Sequence, residues 1–211
     1  MNTGDTAFMM ICAALVFFMT PGLAFFYGGL VRRKNVCNTI MACVAIMGLS
    51  VVMWTLFGYS LSFGGNHAGI IGDFRWFGLN GVGMEAGPYA DSIPHLVFCA
   101  FQMMFAMITP ALITGSLVGR MKFKALFLFV AIWSVIVYYP MTHMVWGDGG
   151  FLAAIGSVDF AGGDVVHISS GISALVLAII LGRRRGYEHT TYRIHNIPSG
   201  LDGLDSMPVV H

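Results

Sequence analysis

Charged residues are scarce in this sequence. Asp, Glu, Lys and Arg make up 10% of the 211 residues, whereas apolar residues make up 57% and the mean hydropathy is +0.78. Soluble domains carry roughly 25% charged residues. Because so few charges cannot cover a water-facing surface, we expect lipid to solvate much of the chain. The formal net charge of +1 gives no indication of a nucleic-acid partner.

Cysteine is also sparse, and its spacing predicts no metal site. All four cysteines lie in or beside apolar stretches, so we expect buried free thiols and neither a metal nor a cofactor. No basic residue precedes the first apolar segment, and basic residues follow it. This pattern is typical of a retained membrane span and not of a cleaved signal peptide.

Five apolar segments are long enough to cross about 30 Å of hydrocarbon, which takes about 20 helical residues. The sequence therefore predicts an all-α integral membrane protein with a membrane domain over residues 1–185. Residues 186–211 are polar and rich in Gly and Pro, and we interpret them as an irregular cytoplasmic tail. The five predicted helices run over about 6–31, 39–63, 93–119, 125–147 and 164–182.

The basic residues indicate the orientation of the chain. They follow the first, third and fifth segments, and of the 11 Lys and Arg residues we expect only Arg75 on the opposite side. The positive-inside rule places the N-terminus outside and the C-terminus in the cytoplasm.

Asp159 precedes the fifth segment by a few residues, where a helix-capping carboxylate belongs. It can accept from free backbone N–H groups near Ala161 and Gly162, and its charge suits the positive end of a helix. The same carboxylate also adds negative potential where a cation would arrive at the membrane. Both interpretations stay open from the residues alone.

His167 lies about one turn inside the fifth segment. Ionisable residues within a membrane usually face a cavity or the bundle interior. We expect His167 to share a face with Gly163, Ser170, Gly171 and Ala174, whose small side chains favour close helix packing and also leave room for a narrow path. A hydrogen-bonded structural histidine is the alternative.

Aromatic residues lie near the predicted outer ends of the helices. Trp146 ends the fourth segment, where an interfacial tryptophan is common, although an indole face also attracts a desolvated cation. Phe105 is by periodicity an ordinary packing residue. His95 and His143 are interpreted as solvated structural histidines near helix ends.

Four stretches of the sequence resemble the ammonium transporter family (Amt/Mep/Rh). They occur in the family's order, and the likeness extends from Met19 to about Pro198. The stretches are MTPGLAFFYGGLVRRKN (19–35), FQMMFAMITPALITGSLVGR (101–120), YYPMTHMVWGDGG (138–150) and DFAGGDVVHISSGISAL (159–175).

The resemblance implies roles for individual residues. Phe105 matches the outer phenylalanine of the pore gate, and Trp146 matches the tryptophan of the external ammonium-recruitment site. Asp159 matches the acidic residue needed for the architecture of that site, and Ala161 matches the residue whose carbonyl lies nearby. His167 matches the first of two pore histidines. Transport of ammonium or ammonia, with methylammonium as an analogue, needs no covalent chemistry, so we do not expect an enzyme.

The resemblance also implies an eleven-helix fold made of two inverted repeats, of which this chain matches the first five helices. We therefore expect a truncated plasma-membrane transporter that lacks the second pore histidine. The family forms trimers, and the terminus to which PII-type regulators respond belongs to the missing half. The alternatives are a non-conducting partner or regulatory subunit of a full-length transporter, or an inactive fragment.

Overall fold

The computed structural model describes residues 1–184 and 194–198. Within these residues, five helices are long and apolar enough to cross a membrane, which confirms the predicted class. Three of them include a π-helical turn. The first span is α1 (Thr3–Leu30); the second is α2 (Val36–Met53), the π turn Trp54–Gly58 and α3 (Tyr59–Phe63); the third is α4 (His95–Leu117); the fourth is α5 (Phe123–Trp133), the π turn Ser134–Tyr138 and α6 (Tyr139–Trp146); the fifth is the π turn Gly163–Ile168 and α8 (Ser169–Leu181).

Short elements connect the spans. A 3₁₀ turn (Arg33–Asn35) precedes α2, and a second one (Phe77–Leu79) lies in the long connection between the second and third spans. The same connection contains an irregular antiparallel hairpin of β1 (Ala86–Gly87) and β2 (Ala90–Pro94). The four-residue helix α7 (Phe151–Ala154) follows α6.

The long connection, residues 64–94, marks one end of the bundle, which we call the loop end. Asn2 lies there because its backbone N–H donates to the Ser92 carbonyl at 2.7 Å. The Asn2 side chain caps α1 by accepting from the backbone N–H groups of Gly4 and Asp5. Such a cap satisfies donors that the first helical turn leaves free.

Residues Arg32–Lys34 and Arg120–Lys124 lie at the opposite end, which we call the basic end. The described part of the tail returns to this end, since the backbone N–H groups of His195 and Asn196 donate to the carbonyls of Val31 and Gly29. An odd number of spans accounts for Asn2 and residues 194–198 lying at opposite ends of the bundle. Apart from residues 194–198, the predicted tail over 186–211 lies outside the described residues.

Helix α4 is the central element, because α1, α2 and α8 all pack against it. The second and fourth spans meet through fully buried aromatic rings, of which Trp54 and Tyr59 belong to the second span and Tyr139 to the fourth. Trp54 packs against Tyr59 and Tyr139 with ring centroids 5.7 and 6.1 Å apart. Gly58 lets the two spans approach closely, since a Cβ atom there would lie 2.6 Å from Cζ of Tyr139. Small residues at such crossings are what allow helices to pack tightly in lipid.

This close approach predicts that Gly58→Ala lowers the free energy of unfolding by about 1–3 kcal/mol, as overpacking of a filled core does. The matched control is Gly48→Ala in the same span, where a Cβ atom meets nothing within 4 Å. We expect the control to lose no stability. Denaturant titration in detergent micelles, followed by circular dichroism, measures both. Equal losses in the two variants would contradict the steric explanation.

Candidate functional site

The carboxylate of Asp159 receives four backbone N–H groups. Its Oδ1 accepts from Gly162 and Gly163 at 2.6 and 2.7 Å, and its Oδ2 accepts from Asp164 and Val165 at 2.8 and 3.0 Å. These donors belong to the start of the fifth span, where intrahelical acceptors are lacking. The capping interpretation of Asp159 is therefore confirmed. Gly162 donates as expected, and the other three donors are residues 163–165.

Glycine is required at position 162. Its φ of 83° is in the left-handed region, which side chains other than glycine's rarely adopt. A Cβ atom at this position would also lie 2.9 Å from Cγ2 of Val166. The sequence analysis named Gly162 only as a backbone donor and did not predict that the position needs glycine. A glycine three residues after a capping carboxylate is the signal that could have shown it. Ala161 lies exposed in the same turn.

Trp146 joins this turn to the aromatic residues of α4. Its indole Nε1 donates to the backbone carbonyl of Asp159 at 3.0 Å. Its ring meets that of Phe105 edge to face, with centroids 6.1 Å apart, an arrangement that aromatic quadrupoles favour. Phe105, Trp146 and Asp159 thus form one connected group at the loop end, which we call the mouth cluster.

His167 is connected to the mouth cluster through the backbone. Its N–H donates to the carbonyl of Gly162 at 3.0 Å, a five-residue spacing that belongs to the π turn. Its side chain is exposed, as is Gly171, whereas Ser170 is buried. The expected common face of His167 and Ser170 is therefore divided, because Ser170 turns inward and donates to the carbonyl of Val166. Within the described residues, His167 does not face the interior of its own bundle.

His95 and His143 are not solvated, contrary to the sequence-based interpretation. They are 5% and 0% exposed, because the loop-end connection folds over them. His95 Nε2 hydrogen-bonds the Tyr59 hydroxyl at 2.5 Å, and His143 Nδ1 donates to the Ser62 carbonyl at 3.0 Å. Both are structural links between spans.

Tyr89 fastens this covering segment to the bundle. Burial raises the pKa of Tyr89, so its phenol stays protonated and donates to the carbonyl of Phe63 at 2.8 Å. The same oxygen accepts from the backbone N–H of Asp148 at 3.2 Å. Hydrogen bonds therefore hold the loop-end connection against the bundle beside the mouth cluster.

Five helices that are long and apolar enough to cross a membrane define a multi-pass membrane protein. The sequence matches the family described as Ammonium Transporter Family over residues 7–203. It is 50% identical over 197 residues to the ammonium transporter of Bacillus subtilis, covering 93% of this chain and 48% of that protein. It is 42% identical over 203 residues to the ammonium transporter Amt1 of Archaeoglobus fulgidus, covering 96% and 49%.

Solved structures agree with these relatives. The crystal structure of Saccharomyces cerevisiae Mep2 superposes with a TM-score of 0.84 at 32% identity, covering 95% of this chain and 47% of that one. That of Candida albicans Mep2 gives a TM-score of 0.83 at 29% identity, covering 98% and 46%. The chain belongs to the ammonium transporter family. It spans about half the length of the curated relatives it matches, which are named as transporters and not as enzymes.

The geometry at Asp159 predicts a large effect of Asp159→Asn. The variant loses the charge and turns an amide NH₂ towards two of the four N–H donors. Hydrogen bonds to charged groups contribute about 1.5–3 kcal/mol each, so we expect a loss of about 2–4 kcal/mol in the free energy of unfolding. Thermal unfolding in detergent measures it.

Asp164→Asn is the control, because it removes a charge five residues away while its amide oxygen can still accept from the Ser157 hydroxyl, which donates to Asp164 Oδ2 at 2.8 Å. We expect a change within about 0.5 kcal/mol, as for ordinary surface positions. A loss of the same size in both variants would show that charge alone, and not the cap, matters.

Proposed function

We propose that this protein carries out ammonium or ammonia transport across a membrane. The observation that carries the proposal is the mouth cluster, in which Trp146 bonds to Asp159 and packs against Phe105. The backbone N–H of His167 bonds to Gly162 in the turn that Asp159 caps. Membership of the ammonium transporter family supports ammonium as the substrate. Methylammonium serves as its analogue.

Recruitment of the cation falls to the aromatic rings and the carbonyl of Ala161. An indole face attracts a cation with about 0.5–2 kcal/mol, and more as water is removed. Asp159 acts indirectly, because all four hydrogen bonds of its carboxylate are accepted from backbone N–H groups of its own turn. It holds Trp146 and Ala161 in place, and its charge adds negative potential at the entrance.

Deprotonation follows from the cost of moving a charge into an apolar lumen. Transfer of a small cation into a medium of low dielectric constant costs on the order of 20 kcal/mol in the Born limit. Ammonia carries no such cost. In this proposal ammonia passes the pore beside His167, while the proton is released or relayed separately.

The pore needs a second wall at the face that carries His167. That side chain is exposed in the described residues, and so are Ile168, Gly171 and Ile172 near it. In the family resemblance this wall supplies a second histidine. The same exposed face favours a second candidate function, in which the chain does not conduct and instead acts as a partner or regulatory subunit of a full-length transporter.

The proposal places the loop end outside the cell and the basic end in the cytoplasm of a multi-pass plasma-membrane protein. Exposed Arg33, Lys34, Lys122 and Lys124 lie at the basic end, as the positive-inside rule requires. A homotrimer is the assembly that the family resemblance implies, and a PII-type regulator is its implied cytoplasmic partner.

Uptake of labelled methylammonium by transporter-deficient cells tests the proposal. One arm expresses residues 1–211 alone, and the other co-expresses them with the second half of the Bacillus subtilis relative. We expect uptake in at least the second arm, with a loss of at least tenfold in His167→Ala. His195→Ala is the control, because that exposed histidine lies beside the end of α1 and should leave uptake unchanged.

Absence of uptake in both arms, with the chain present in the membrane, would contradict transport. If the chain then copurifies with a full-length relative and alters methylammonium uptake by that relative, the partner function replaces the transport function.

A further inference from the structure

Helix α8 is apolar on almost every side. Its large side chains are mostly exposed, and Ser169 and Ser170 are its buried residues. The exposed side chains include Ile172, Leu175, Val176, Ile179 and Ile180. Because lipid tails are as apolar as these side chains, hydrophobicity does not select one rotation of α8 about its axis. The packing of Ala174, Leu177 and Leu181 against the core and the polar contacts of the helix have to select it.

Hydrogen bonds reach the fifth span and the turn just before it at both ends of the bundle and between them. At the loop end Trp146 Nε1 donates to the Asp159 carbonyl, and at the basic end Arg120 Nη1 donates to the Ala178 carbonyl at 3.3 Å. Between them Trp133 Nε1 donates to Ser173 Oγ at 2.9 Å. The two outer bonds end on backbone carbonyls, whereas the middle one depends on the side chain at position 173.

The hydroxyl of Ser173 is fixed in direction. It donates its own proton to the carbonyl of Ser169 at 2.7 Å and accepts the indole N–H of Trp133. Donor and acceptor capacities of the hydroxyl are thus both used. The Trp146 indole therefore holds the turn before the fifth span and the Trp133 indole holds the span itself, and His167 lies between these two bonds along the chain.

Ser173 also lies on the side of the helix away from His167. Ser173 is half-buried towards Trp133, while His167 is exposed. Holding Ser173 inward therefore keeps the imidazole directed outward, towards the face where the second wall of the proposed pore would lie.

We propose that Trp133 and Ser173 are positioning residues that set the rotation of α8 and thereby the direction of His167. The consequence for transport rests on the proposed function, but the rotation itself does not. Loss of the bond leaves α8 free to turn between its backbone contacts at the two ends, so that His167 occupies several directions.

The experiment is a nitroxide scan of residues 174–181 in lipid bilayers. The four native cysteines are replaced by alanine, and oxygen accessibility gives the phase of the exposed face of α8. In Ser173→Ala and in Trp133→Phe we expect this phase to shift by about 20° or more, where adjacent residues differ by about 100°. A loss of the helical periodicity in oxygen accessibility is the other expected result. Ser173→Thr keeps the hydroxyl and should restore the original phase.

Trp54→Phe is the matched control. Its indole Nε1 donates to the carbonyl of Cys99 at 3.3 Å, so it joins the second span to the third without contacting α8. We expect the exposed face of α8 in Trp54→Phe to have the same phase as in the unsubstituted protein. An unchanged phase in Ser173→Ala would overturn the proposal, and so would an equal shift in Trp54→Phe. Because the readout is a rotation, failure of methylammonium uptake does not affect it.

Discussion

The rest of the site depends on one interaction. The Asp159 carboxylate accepts hydrogen bonds from four backbone N–H groups. A helix that begins near a membrane surface exposes donors that neither lipid nor its own backbone can satisfy. One side chain satisfies all four here, and its charge faces the positive end of the helix. The start of the fifth span is thereby fixed relative to the residue that precedes it.

The other parts of the site are attached to this cap. The Asp159 carbonyl accepts the Trp146 indole, and Trp146 in turn contacts Phe105, so that α4 and the fourth span are placed against the turn. The N–H of His167 bonds to the carbonyl of Gly162 within the capped turn. The residues proposed for aromatic recruitment and for the pore are therefore positioned by one connected set of hydrogen bonds.

The spans were the predictable part of the structure, for a physical reason. The first four predicted segments contain no Asp, Glu, Lys or Arg, and hydropathy is a strong signal when lipid is the solvent. The capping contact of Asp159 was one of two interpretations that the residues left open, and it could be anticipated because a cap and its helix lie within a few residues of one another.

Features that depend on distant residues were not predictable in this way. The burial of His95 and His143 depends on how residues 64–94 fold over them. Ser170 was expected beside His167, although the turn containing His167 is π-helical and Ser170 is held inward by its bond to Val166. The bond between Trp133 and Ser173 joins residues 40 positions apart that no local pattern connects.

Hydrogen exchange of the unsubstituted protein in bilayers tests the central claim most directly. Gly163 is exposed, so burial cannot slow the exchange of its amide, whereas a bond to the Asp159 carboxylate can. If the cap organises the site, the amides of residues 162–165 exchange as one protected group, at least tenfold slower than unstructured amides. Exchange of these amides at unstructured rates would show that Asp159 does not hold the turn and would contradict the claim.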